Sequence, residues 1–212
     1  PFTIIALDNV MLISVNTVIQ KYAGWERGDM LLACTAIIQS FMLIVTMPLG
    51  GMTMGTQAIL GYNYGARNSK RVLDAEKYIC IVCLIFVTIM FIIARTLSEQ
   101  FARIFTANLE YIQVTAWGIK VYTIGLFWMA IQYAIVDGFT GMGEVKYAMP
   151  LSMFRKAIFF ASVFIIPQFV DVTNIFYAEP ISDIVAATVT TTVYLLSIKK
   201  LLAKRENSEV MV

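Results

Sequence analysis

Apolar residues fall in six long blocks along the chain, roughly Phe2 to Gln20, Leu31 to Leu49, Tyr78 to Ala94, Trp117 to Val136, Tyr147 to Ile166 and Ile181 to Ile198. Each block approaches the ~20 residues needed to cross a hydrocarbon core of about 30 Å. None alternates strictly between apolar and polar positions, and backbone groups in lipid must be satisfied within a segment or by a closed barrel, so the blocks read as helices. The pattern predicts an all-α integral membrane protein: a lobe of six transmembrane helices over residues 1–198, then a cytoplasmic tail over 199–212. Three segments lie between or beyond the blocks. Tyr22 to Asp29 reads as an outer loop with Trp25 at the interface. Ser98 to Leu109 sets Phe101, Ile104 and Phe105 apart from Glu99, Arg103 and Asn108, the pattern of a short helix lying on the outer surface. Lys199 to Val212 is polar and basic and reads as a solvated or loosely attached end.

Composition agrees with this class, since 59% of residues are hydrophobic and 14% charged, against about 25% charged in soluble domains. The sixteen Lys and Arg residues then set the orientation. Eleven of them (Arg67, Lys70, Arg71, Lys77, Lys146, Arg155, Lys156, Lys199, Lys200, Lys204 and Arg205) lie toward alternate span ends, and five (Lys21, Arg27, Arg95, Arg103 and Lys120) toward the other ends. The richer set belongs in the cytoplasm, which puts both chain ends inside a multi-pass protein of the cell's inner or plasma membrane. A net charge of +2 gives no reason to invoke nucleic acid; membrane lipid is the implied surrounding partner. Pro1 opens directly into an apolar block without an initiator methionine, so it is not expected to be the native start.

Enzyme chemistry has little support. The chain has no histidine, which removes serine–histidine dyads and histidine metal sites. Cys80 and Cys83 have CxxC spacing but sit inside the third block without a second pair, as buried thiols do. Gly138, Gly141 and Gly143 are followed by no Gly-Lys-Ser/Thr and preceded by no strand, and read as a flexible helix exit rather than a phosphate loop. No cofactor or metal is expected.

The stretch from Pro48 to Val72 passes from an apolar helix through a small-residue segment into a basic loop. Gly51 and Gly55 are spaced to let a neighbouring backbone approach closely. Gly51, Gly55, Gln57, Ile59 and the run Gly61, Tyr62, Asn63, Tyr64, Gly65, Ala66 resemble the motif of the multidrug and toxic compound extrusion (MATE) family, in its second half. Ser98 to Thr106, Gly138 to Lys146 and Pro180 to Asp183 resemble later segments of that family in the right order. Ala58 stands where many members place a proline. The resemblance implies the second of two six-helix lobes in a twelve-helix transporter, with the first lobe missing from this chain.

Polar residues inside the spans are where transport chemistry is expected, because a carboxylate near a helix centre costs about 2.5–3.5 kcal/mol on insertion scales. Asp8 is the first ion-coupling candidate, about 10 Å along its helix from Pro1 at ~1.5 Å per residue. Asn9 and Asn16, seven apart, share a face beside it. Asp137, just past the fourth span toward its cytoplasmic exit, is the second, with interfacial solvation or pairing with Lys146 or Arg155 as the alternative. Arg155 and Lys156 lie deep enough in the fifth span to need water, phosphate or a carboxylate. Gln39, Gln57, Met129 and Gln132 join Asn9 and Asn16 as candidates to line a substrate cleft. Asp183 reads as a cap near the outer start of the last helix. Methionines and aromatics such as Met42, Met47, Phe127 and Trp128 offer adaptable walls for flat lipophilic cations.

By resemblance, the expected function is secondary antiport: export of amphipathic or cationic drugs and toxic organic compounds in exchange for H+ or Na+. Some family members use carboxylates in the first and fourth helices of this lobe. Here the middle of the fourth reads Phe127 to Gln132 without an acid, which favours H+ over Na+. Two other readings stay open: a lipid-linked oligosaccharide flippase of related architecture, and a non-transporting fragment or assembly module. The opposite wall of the cleft would come from the first lobe or from a second copy of the chain.

Overall fold

A computed structural model describes the backbone of residues 2–207 and the side chains of residues 10–207. The described residues are helical throughout, with no strand. The order is α1 (Phe2–Ala23), α2 (Trp25–Gly65), α3 (Ser69–Thr96), α4 (Ser98–Arg103), α5 (Leu109–Tyr122), a 3-10 turn (Thr123–Gly125), α6 (Leu126–Gly141), α7 (Val145–Phe169), a second 3-10 segment (Val172–Tyr177) and α8 (Ala178–Glu206). Five stretches among the described residues are long and apolar enough to cross a membrane: Trp25–Gly65, Ser69–Thr96, Leu109–Gly141, Val145–Phe169 and Val172–Glu206. The first expected span falls in α1.

The boundaries differ from the sequence reading where polar ends stay helical. The expected outer loop, Tyr22 to Asp29, is reduced to Gly24, whose φ of 75° turns the chain in a region open to glycine at little cost. Trp25 to Asp29 form the start of α2, a helix of 41 residues. That helix also absorbs the small-residue segment, and the basic loop shrinks to a turn in which Arg67 adopts φ 60°. Asn68 then accepts from the Arg71 N–H at 3.1 Å and opens α3. The amphipathic segment expected on the outer surface is helical over Ser98–Arg103, and Asn108 caps α5 by accepting from the Glu110 N–H at 2.9 Å. Of the expected loose tail, residues 199–206 instead continue α8, with Leu201 and Leu202 buried, while residues 208–212 lie outside the described residues.

The residues pack as two compact units: Pro1–Ile44, Phe91–Gly125 and Lys156–Ser182 in the first, and Val45–Met90, Leu126–Arg155 and Asp183–Val212 in the second. In the first unit Phe176 is fully buried and lies 3.1 Å from where a Cβ on Gly118 would stand. Trp117 and Tyr122 pack their rings on it with centroids 5.9 and 5.8 Å away. Arg27 in the first turn of α2 reaches Asp171 at 2.7 Å.

In the second unit Phe139 is fully buried, stacked on Tyr147 at 5.1 Å and edge-on to Tyr194 at 5.8 Å. Leu60, Val72, Leu151 and Leu201 close around it. The Tyr64 hydroxyl donates to Glu144 at 3.0 Å, and the Arg205 guanidinium sits 5.6 Å from the Tyr64 ring centre. These contacts tie the end of α8 to the end of α2.

Candidate functional site

Thr53, Gln57 and Gly61 follow one another at four-residue intervals on α2, so they form one stripe along the helix. Asp137 and Gly141 repeat the interval on α6. Glycine lets the two stripes meet at backbone distance: a Cβ on Gly61 would stand 2.7 Å from the Gly141 carbonyl oxygen, and one on Gly141 would stand 2.8 Å from both Cα and O of Gln57. One turn earlier along α6, Asp137 is thereby held against α2. The Thr53 hydroxyl donates to its Oδ2, and Gln57 Nε2 donates to its Oδ1 at 3.0 Å. Thr53 is buried, while Gln57 and Asp137 are half-buried. Both carboxylate oxygens of Asp137 thus accept a hydrogen bond inside a membrane helix bundle, the kind of support that lets an anion persist there.

A second carboxylate stands beside this one. Glu76 on α3 is 4% exposed, and its carboxyl group lies against the backbone of Gly138, where a Cβ would collide with both oxygens. Neither oxygen has a hydrogen-bond partner among the described residues. Asp137 is within Coulombic reach of it. No group of three or more His, Cys, Asp or Glu among the described residues is arranged to hold a metal ion.

Farther along the same unit, Arg155 of α7 pairs with Asp183 of α8 at 2.9 Å, with Asp183 fully buried. Asp183 therefore serves as an internal ion-pair partner on the sixth residue of its helix, not as an end cap. Lys146 pairs with Glu144 at 3.0 Å. Neither of the basic residues expected near Asp137 is its partner; the hydroxyl and amide one turn apart on α2 take that place.

The MatE family model matches residues 5–166. The chain belongs to the MATE family. MATE proteins are transporters, and the apolar helices make this chain a membrane protein. Among solved structures, the inward-facing conformation of a multidrug resistance MATE transporter of the MOP superfamily is similar at TM-score 0.80 and 19% identity, covering 94% of this chain and 45% of that one. MATE in its bent conformation gives TM-score 0.83 at 19% identity, covering 93% and 43%. A MOP superfamily transporter from Pyrococcus furiosus, described as having a binding pocket of reverse polarity, gives 0.81 at 18%, covering 96% and 44%. The chain spans less than half the length of these MATE structures, and its fold is that of one MATE lobe. No curated protein matches the chain.

Within the MATE lobe, the residues singled out from sequence fall in different surroundings. Asp8 and Asn9 lie outside the residues whose side chains are described. Asn16 and Gln39 are half-buried. Met129 and Gln132 are buried, at 0% and 3% exposure, within this chain's own packing and not on an open wall. Of the MATE motif, Gly51 and Gly55 have nothing within 4 Å of a would-be Cβ. The close backbone approach expected there occurs instead two turns later, at Gly61, because that position continues the Thr53 and Gln57 stripe. Gly65 ends α2, Tyr62 is 75% exposed, and Asn63 is buried with its amide donating to the Ile59 carbonyl at 2.8 Å.

Glu76 was missed. The sequence does hold a signal for it: Val72, Glu76, Ile79, Cys83, Val87 and Met90 recur at intervals of three and four, and all are buried. One acid in an otherwise apolar helical stripe marks a carboxylate turned inward.

Proposed function

We propose that this chain is the second six-helix lobe of a secondary antiporter that exports amphipathic organic cations in exchange for protons, with Asp137 as a coupling carboxylate. The observation that carries the reading is Asp137 itself: an acid held by Thr53 and Gln57 in the spanning part of a MATE-family fold. An intramembrane carboxylate on such a scaffold fits a proton relay better than a structural post, because an apolar residue would pack there at lower cost. Similar structures described as inward- and outward-facing support an alternating-access cycle. In that cycle proton and drug favour opposite arrangements, and the difference in their affinities for the two supplies the coupling. Exposed Met47 and Met54 on α2 are compatible with lipophilic cargo. The opposite wall comes from a first lobe, and both ends of this lobe face the cytoplasm of the cell's inner or plasma membrane.

The test is ethidium efflux from proteoliposomes carrying the polypeptide with both lobes, under an imposed pH or sodium gradient. Asp137→Asn is expected to abolish efflux driven by the pH gradient while ethidium still binds. Wild-type efflux by that variant, with unchanged pH dependence, overturns the role of Asp137. In cells, this chain alone is expected to leave ethidium accumulation unchanged at equal membrane expression. Uncoupler-sensitive efflux by the chain alone would instead make it a functional oligomer.

A further inference from the structure

We propose that Glu76 is a second proton-binding residue of this lobe, and that Glu76 and Asp137 together hold a single proton, carried on Glu76. The proposal rests on the proton-antiport reading for its role in transport. Three features make the site.

The first is direction. Glu76 occupies the buried stripe of α3 between Val72 and Ile79, while Asp74 and Lys77 beside it are exposed. A glutamate near a helix end is long enough to reach an interface, but this one turns into the bundle. The second is accommodation. Its carboxyl group rests on Gly138, the residue after Asp137, and any side chain at 138 would occupy its place. The third is the lack of compensation. Both oxygens are buried without a hydrogen-bond partner among the described residues.

Among the titratable groups around Glu76, Asp137 makes matters worse for a charge. From α6 it meets Asp137, another acid; from α8 the phenol of Tyr194; and from its own helix the thiol of Cys80. Among the described residues no basic side chain forms an ion pair with it. A buried carboxylate without donors or a counter-charge is strongly disfavoured, and a neighbouring anion adds repulsion. Two acids that interact strongly titrate as a unit. Asp137 has two donors and keeps the negative charge; Glu76 has none and takes the proton. Loading forms one O–H bond on Glu76 and leaves one negative charge on the pair. Release breaks that bond and requires a change in the surroundings of the pair, which is how proton movement can be tied to a change of conformation.

The experiment is infrared difference spectroscopy of the two-lobe protein at neutral pH, reading the carbonyl stretch of protonated carboxylic acids, alongside ethidium efflux driven by a pH gradient. Wild type is expected to show one such band that Glu76→Gln removes and Asp137→Asn retains. Glu76→Gln, which mimics the protonated acid in size and charge, is expected to keep ethidium binding and lose the dependence of efflux on the pH gradient. A wild-type spectrum whose band survives Glu76→Gln overturns the proposal. So does labelled sodium binding that Glu76→Gln abolishes in a protein showing no such band, since the pair would then be a cation site. If wild type exports nothing under a pH gradient yet Glu76 still accounts for the band, the antiport reading fails and the proton site stands.

Discussion

One substitution made at four glycines should give opposite results. Alanine at Gly61 puts a Cβ 2.7 Å from the Gly141 carbonyl oxygen, and ordinary contact begins at 3.4 Å. The neighbour is backbone, so α2 and α6 must part by about 0.7 Å, which loosens their whole line of contact. Overpacking of this kind costs about 1–3 kcal/mol, offset by about 0.5–1 kcal/mol from replacing glycine with alanine in a helix. The net expectation is a loss of roughly 0–2.5 kcal/mol, with Gly141→Ala behaving alike because its Cβ meets Gln57 backbone at 2.8 Å. At Gly51 and Gly55 a Cβ meets nothing within 4 Å, so only the helix gain of about 0.5–1 kcal/mol remains. The assay is heat unfolding of this chain in detergent, followed by the surviving monodisperse fraction. Gly61→Ala and Gly141→Ala should unfold at lower temperature than wild type, and Gly51→Ala and Gly55→Ala at the same or a higher one. Equal stability across the four variants would refute the close packing of α2 on α6, and with it the reason that Asp137 meets Thr53 and Gln57.

Other expectations follow from single contacts. Thr53→Val removes a donor to a partly buried carboxylate, worth about 1.5–3 kcal/mol; it should lower stability and shift the pH profile of efflux, whereas Thr53→Ser should restore both. Arg155→Ala leaves Asp183 buried without its guanidinium partner and should lower stability by about 3–5 kcal/mol, with Arg155→Lys recovering only part because it lacks the planar fork; heat unfolding reads both. Asp171, outside the spans, is held at about 2 by the side chain and N–H of Thr173 and then by Arg27. Its depressed value stabilises the fold above the usual carboxylate range near pH 4, and that contribution is lost as pH falls through about 2. With both partners 49% exposed, screening keeps the effect below about 1 kcal/mol, and Asp171→Asn should remove this component of the acid-unfolding curve.

Apolar blocks were legible in the sequence because lipid imposes the same requirement on every residue of a span, and helix covers them, although the fourth is shared between α5 and α6 through the 3-10 turn Thr123–Gly125. Helix ends were not, because hydropathy changes where water begins while helical hydrogen bonding does not. Trp25 to Asp29 and Lys199 to Glu206 are polar and remain helical. The ion pairs were hidden for a related reason. Arg155 and Asp183 are 28 positions apart, and their meeting depends on how α7 packs on α8, which no local spacing encodes. Asp137 reads from sequence as an acid at the cytoplasmic exit of its helix with water or basic neighbours, since charge complementarity is the simplest guess from composition. The fold answers instead with neutral donors at Thr53 and Gln57, which support an anion without cancelling its charge. That difference bears on transport. A carboxylate neutralised by arginine, as Asp183 is, has little reason to take up a proton, whereas in the pair proposed here Glu76 takes the proton and Asp137, supported by a hydroxyl and an amide, keeps its charge. In this unit Asp183 belongs to a fixed ion pair with Arg155, while the proposed proton site joins Asp137 to Glu76.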